Sequence, residues 1–198
     1  FFAAILGIIL GFIVAIIRST HDKSGHFKIL NAVCRVYLTV IRGTPTMIQL
    51  LIMNFVIFGS VSLDKVIVGS LAFGINSGAY VAEIVRSGIM SIDPGQTEAG
   101  RSLGLNFTQT MKLIIMPQAF KNVLPALVNE FIVLLKETSI IGYIGMMDLT
   151  KGAMLIQSRT YNAFLPLIAA ALIYLALVMF LTFLMNKIER RLRTSERK

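Results

Sequence analysis

No charged residue occurs between Ala163 and Asn186. An uncharged run of that length is what a helix crossing hydrocarbon needs: about 20 residues rising 1.5 Å each cover a core roughly 30 Å thick. Lipid offers no hydrogen-bond partners, so the backbone must satisfy itself within the segment, as a helix does. Four further apolar blocks precede this one. With it they give expected spans of about 1–17, 30–58, 66–90, 123–147 and 163–186. The chain is therefore read as an all-α integral membrane protein, a single transmembrane domain over 1–198 with five transmembrane helices embedded in the lipid bilayer. The runs are continuous rather than alternating, which excludes a β-barrel. Charged residues make up only 15% of the chain, too few for an ordinary soluble domain.

Phe1 already lies within an apolar run that has no basic flank or cleavage site before it. The reading expects the remainder of a true span there, not a signal peptide. Arg18 to Arg42 then reads as an interfacial loop leading into the second block. Pro45 either kinks that block or starts its spanning part. The net charge of +9 would suggest nucleic acid in a soluble protein. Here it is expected to orient the chain, and no nucleic-acid partner is expected. With five crossings, Lys65, Lys151 and Arg159 fall on one side, and the other sixteen of the 19 Lys and Arg fall on the opposite side. Basic residues mark the cytoplasmic face, so the 91–121 connection and the C-terminal tail are expected in the cytoplasm. Cys34 has no second cysteine to bond and reads as a small apolar filler. His21 and His26 have no further ligands at metal spacing, so they read as solvated loop residues and no metal site is expected.

The longest polar interval is Asp93 to Lys121. Glu98, Ala99 and Leu103 have helical spacing, Gly104 interrupts it, and Phe107 to Met116 offers another amphipathic turn or two before Pro117. The pieces are too short and too polar to cross a bilayer. They predict a helix–turn–helix on one face of the membrane, suited to docking against a partner.

Gln49 and Asn54 lie inside the otherwise apolar stretch Thr46 to Phe58, and the third and fourth spans carry further polar residues. In the third, Asn76, Tyr80, Glu83 and Ser87 fall within about 60° of one another on the helix. Gly74 and Gly78 form a GxxxG on roughly the opposite face, where another helix can approach closely. A carboxylate facing lipid costs at least about 2.5–3.5 kcal/mol, so Glu83 must face a bundle, a cavity or a partner. Pairing with Arg86 to brace the helix and a role in solute binding weigh equally for it. The fourth span holds Asn129, Glu130 and the run Lys136-Glu137-Thr138-Ser139. Mid-span polar groups of this kind mark a solute pathway or a self-satisfied network between subunits. Glu130 shares a face with Glu137 and is expected nearer the cytoplasmic end, anchoring the adjacent loop. No GxxxxGK[ST] phosphate loop and no Ser-His-Asp or Cys-His nucleophile arrangement is present, so neither nucleotide hydrolysis nor hydrolytic catalysis is expected of the chain.

At the polar interval the sequence resembles the permease subunits of ABC importers. Their cytoplasmic loop reads Glu-Ala-Ala, three residues, Gly, nine residues, Ile, one residue, Leu-Pro. Here Glu98-Ala99-Gly100, Gly104, Ile114 and Met116-Pro117 keep every spacing, with Gly100 in place of the second Ala and Met116 in place of Leu. Arg42-Gly43-Thr44-Pro45, Gln49-Leu50, Asn76 through Glu83 and Lys136-Glu137-Thr138-Ser139 are similar to the polar amino acid branch of that family. The resemblance implies a type I ABC importer fold in a bacterial cytoplasmic membrane, with the coupling-helix loop between the third and fourth spans. It implies a second permease subunit, identical or related, and an extracytoplasmic binding protein that delivers the amino acid. It also implies an ATPase subunit dimer that binds ATP and Mg itself, so that this chain needs no cofactor. On that view Glu98, Ala99, Gly100, Arg101, Gly104 and Leu105 couple to the ATPase. The expected solute pocket is Asn76, Tyr80, Glu83, Glu137, Thr138, Ser139 and Asp148. An ion-gradient-driven secondary carrier is the alternative, and it gives the long polar loop no purpose.

Overall fold

The computed structural model describes residues 1–194, and the last residues of the basic tail, 195–198, lie outside the described residues. Helix α1 (Phe2–Ser24) is longer than the first expected span. Arg18 to Ser24 continue it, so His21 lies on a helix rather than in a loop, and Gly25 ends it in the left-handed conformation (φ 68°). Helix α4 (Lys65–Met90) begins at Asp64, whose side chain accepts from the Val66 N–H at 2.7 Å.

The packing of α1 on α4 organises the molecule. Gly7 faces Ser77 and Gly78, Gly11 faces Val81 and Ala82, and Leu6 and Leu10 cover Gly74 and Gly78. Residue numbers rise together on both helices, so the two run parallel. Each supplies a GxxxG pair, and the missing side chains let the backbones come close along a shared seam. The expectation that Gly74 and Gly78 meet another helix holds, with α1 as the partner.

Because α1 and α4 are parallel, the chain between them must return. It does so through α2 (Lys28–Gly43) and α3 (Thr46–Ile52), the latter extended by a π-helical turn, Met53–Ile57. These two helices are bent by 109° at Gly43–Pro45. The expected second span over 30–58 is therefore not one straight helix. Pro45 has an extended backbone (ψ 135°) and starts α3, consistent with its lack of a donor N–H.

After α4 come α5 (Pro94–Ser102) and α6 (Phe107–Thr110). The turn between them has Gly104 at φ 80°, a region open to glycine at little steric cost. Asn106 and Gln109 form a reciprocal capping box at the start of α6. The expected helix–turn–helix is present, but Pro117 does not end it. A π turn over Met111–Ile115, closed by Met116 N–H to Met111 O, leads straight into α7 (Met116–Glu137). Residues 107–137 are thus helical throughout, and the fourth expected span starts earlier than 123. Its other end also differs: α7 stops at Glu137, a 3₁₀ turn covers Thr138–Ile144, and Gly145 turns at φ 88°.

Helix α7 packs antiparallel to α4. Val123 and Ala119 meet Gly88, Glu130 meets Ser77, and Ile141 meets Gly69. From Gly69 to Gly88 this is about 28 Å of helix, close to the thickness of hydrocarbon. Helices α8 (Leu149–Thr160) and α9 (Phe164–Thr194) complete the chain. Among the described residues, three helices are long and apolar enough to cross a membrane (in α1, α4 and α9), and the bent α2–α3 pair passes as a fourth. Helix α7 is not among them. Only 6% of the apolar stretch of α9 is buried, so that helix offers its surface to lipid or to another subunit.

Candidate functional site

Polar side chains gather in two layers along α4. The first lies halfway along the helix. Asn76, 1% exposed, donates through Nδ2 to Gln49 Oε1 of α3 at 2.9 Å. Gln49 in turn donates to Ile41 O at 2.7 Å and to Thr44 Oγ1 at 2.8 Å, which ties α3 to the end of α2 across the bend. Next to Asn76, Ser77 donates to Glu130 Oε1 of α7 at 2.9 Å. One turn before Gln49, Thr46 stands beside the Glu137 side chain. Helices α3, α4 and α7 are thus joined by an amide pair and a hydroxyl–carboxylate bond, with a second carboxylate close by. Asn76 Oδ1 is buried and has no partner among the described residues, a spare acceptor in the middle of this layer.

The second layer lies nearer the ends of α1 and α4 that adjoin the 91–115 connection. Arg18 of α1 donates to Glu83 Oε1 at 3.1 Å, Arg42 of α2 reaches Glu83 Oε2 at 3.7 Å, and the Arg42 guanidinium stands 5.7 Å from the Tyr80 ring centroid. Arg86 is 4.0 Å from Glu83 and closer, at 3.2 Å, to Asp22. Glu83 is therefore held chiefly by two arginines from other helices rather than by Arg86 on its own helix. The two arginines are 65 and 41 residues from it in sequence, a separation that helical periodicity cannot bridge.

The expected pocket residues divide between these layers and a third place. Asn76 and Glu137 lie in the central layer, and Tyr80 and Glu83 in the arginine layer. Thr138 turns its hydroxyl back to Leu135 O at 2.7 Å, and Ser139 follows it in the 3₁₀ turn. Asp148 caps α8, accepting from Thr150 N–H at 3.2 Å and Lys151 N–H at 2.9 Å. Glu130, expected to anchor a loop, is instead bonded to Ser77. Gln49, Thr46 and Ser77 are the further members. Gln49 stood out in sequence as a polar residue inside an apolar block, but nothing local pointed it at Asn76.

At the loop, Glu98, Ala99, Arg101 and Leu103 are exposed, whereas Gly100 is buried against Thr110 and Ile114. Leu105 N–H closes the turn on Gly100 O at 3.1 Å.

Residues 7–194 match the family described as binding-protein-dependent transport system inner membrane component. The chain belongs to that family. Among curated family members, the arginine transport system permease protein of Bacillus subtilis is 40% identical over 98% of this chain and 87% of its own length. The putative glutamine transport system permease protein of Rickettsia conorii is 39% identical over 96% of this chain and 86% of its own. A crystal structure of an amino acid ABC transporter with histidines superposes on this family member with a TM-score of 0.88. It is 43% identical and covers 96% of this chain and 87% of that one. An inward-facing methionine ABC transporter matches with a TM-score of 0.77 at 19% identity, which shows the fold alone.

Proposed function

We propose that this chain is the permease subunit of an ATP-driven importer that carries a polar amino acid into the cytoplasm by alternating access. The observation that carries the reading is the central layer. Asn76, Ser77, Gln49, Glu130 and Glu137 place two carboxylates, an amide pair and an unpartnered acceptor halfway along a membrane-length helix, the depth at which transporters hold their solutes. The carboxylates would attract an ammonium or guanidinium group, and Asn76 Oδ1 would accept from it. The relatives named for arginine and glutamine transport support a cationic or neutral amino acid.

The chain has no phosphate loop, so the energy must come from another subunit. The exposed Glu98, Ala99, Arg101 and Leu103 on α5 form the surface an ATPase subunit would grip. Gly100, Gly104 and Leu105 set the turn behind it. Continuous helix from Phe107 to Glu137 joins that surface to Glu130 and Glu137, so an ATPase closing on α5 would move the solute site as a rigid body. In this reading α5 and the C-terminal tail face the cytoplasm of a bacterium, ATP and Mg belong to the ATPase, a second permease chain completes the pathway, and an extracytoplasmic binding protein supplies the amino acid.

The test is purification followed by reconstitution. An ATPase subunit should co-purify, and a panel of radiolabelled amino acids should yield one or two that accumulate in proteoliposomes supplied with ATP and binding protein. Vanadate should stop that accumulation. Uptake that needs only an ion gradient and ignores vanadate would overturn the proposal in favour of a secondary carrier.

A further inference from the structure

We infer that the cavity between α1, α2 and α4 lined by Arg18, Arg35, Thr39, Arg42 and Tyr80 holds the phosphate of an anionic phospholipid. The cavity encloses about 600 Å³. Three guanidinium groups line it, and the carboxylate at hand is Glu83, shared between Arg18 at 3.1 Å and Arg42 at 3.7 Å. Arg86 brings no surplus, because Asp22 holds it at 3.2 Å. Arg35 makes no ion pair among the described residues, and Arg18 Nε is buried without a partner. Two positive charges therefore stand uncompensated beside a membrane-spanning helix, where an unpaired charge is costly. Guanidinium groups match phosphate oxygens in a bidentate manner, and the Thr39 hydroxyl and Tyr80 phenol add donors.

Depth selects a lipid over a soluble anion. Arg18 is four residues from the end of the apolar stretch Phe2–Asp22, about 6 Å along the axis, which is where headgroup phosphates meet hydrocarbon. The solute layer at Asn76 and Ser77 lies deeper. Helix α2 also has the character of an interfacial helix: Ile29, Val33, Val36 and Val40 are exposed on one side of it, beside the row Arg35, Thr39, Arg42. Acyl chains can lie along the valines while the phosphate enters the arginine cavity. Basic pockets between membrane helices commonly take acidic headgroups in this way.

The full-length protein, extracted from membranes as its assembled complex and placed in phosphatidylcholine nanodiscs, is titrated with fluorescent phosphatidylglycerol. Tight, salt-sensitive binding of phosphatidylglycerol over labelled phosphatidylcholine is expected. Arg35→Gln should weaken phosphatidylglycerol about fivefold, the effect of one interfacial arginine, and leave phosphatidylcholine unchanged. Arg35 lies outside the Glu83 cluster, so the variant should keep the wild-type melting temperature, and Arg35→Lys should recover most of the affinity. Equal binding of the two lipids, or silence of both Arg35→Gln and Arg42→Gln, overturns the inference. So does displacement of the lipid by millimolar inorganic phosphate or free amino acid, which would mark the cavity as a site for a soluble oxyanion. None of these readings requires transport, so they stand apart from the function proposed above.

Discussion

Ser77 on α4 donates a 2.9 Å hydrogen bond to Glu130 on α7, across 53 residues of sequence. Immediately before Ser77 on α4, Asn76 is bonded to α3. Adjacent residues of one helix therefore fasten it to two others, halfway along its length. Removing the hydroxyl leaves the carboxylate short of a donor in a half-buried site. Ser77→Ala is expected to destabilise the protein by about 1–3 kcal/mol, read as a lower melting temperature in detergent. Pairing it with Glu130→Gln should cost less than the sum of the two single changes. Additive losses would show that the two side chains are not coupled.

Glu83 is the acid on which Arg18 and Arg42 converge. Glu83→Met strands Arg18, whose side chain is 14% exposed, and should cost toward the lower end of the roughly 3–5 kcal/mol typical of breaking a buried pair. Adding Arg18→Met should restore part of the loss, because the stranded, mostly buried guanidinium is then gone. A double variant that melts below Glu83→Met would count against this ion pair as the cause.

The parallel seam of α1 and α4 predicts a steric effect with a built-in rescue. A β-carbon at Gly11 would collide with Val81. Gly11→Ala should lower stability by about 1–3 kcal/mol, the usual cost of overpacking. Val81→Ala should remove most of that cost in the double variant, measured by thermal unfolding.

Gly100 departs from the family's second alanine, and the packing explains why. A β-carbon there would lie 2.7 Å from Thr110 Cγ2 and 3.0 Å from Ile114 Cδ1. Gly100→Ala is expected to push α5 away from α6 and reduce ATP-coupled uptake several-fold, despite alanine's better helix propensity of up to about 1 kcal/mol. Thr110→Ser, which removes the offending methyl, should return the activity. If Gly100→Ala alone transports normally, the close contact has no consequence for coupling.

At the exposed side of the same loop, Glu98→Lys reverses a charge that makes no ion pair among the described residues, and Gly104→Pro replaces a residue at φ 80° with one fixed near −65°. Both variants should insert into membranes in normal amount while hydrolysis of ATP no longer drives uptake. Normal uptake by reconstituted Gly104→Pro protein would remove the coupling role from this turn.

The sequence by itself determined the class of the protein, the helix–turn–helix with its turn at Gly104, and the close-approach face at Gly74 and Gly78. Each depends on spacing within one segment: apolar length against bilayer thickness, a glycine where the backbone turns left-handed, two small residues one helical turn apart. It also marked Asn76, Glu83 and Glu137 as polar groups that lipid would not tolerate. Only the tertiary structure decided their partners. Arg18, Gln49, Thr46 and Ser77 became their neighbours because α1 runs parallel to α4 while α7 runs antiparallel, and because the chain bends by 109° at Pro45. A single hydrophobic period reports which face of a helix avoids lipid, but not which helix covers it. The continuity of α6 into α7 was likewise hidden, because a π turn lets Pro117 follow without breaking the helix. Helical periodicity made the polar residues visible; the packing of distant helices divided them between a central layer and an arginine-lined cavity.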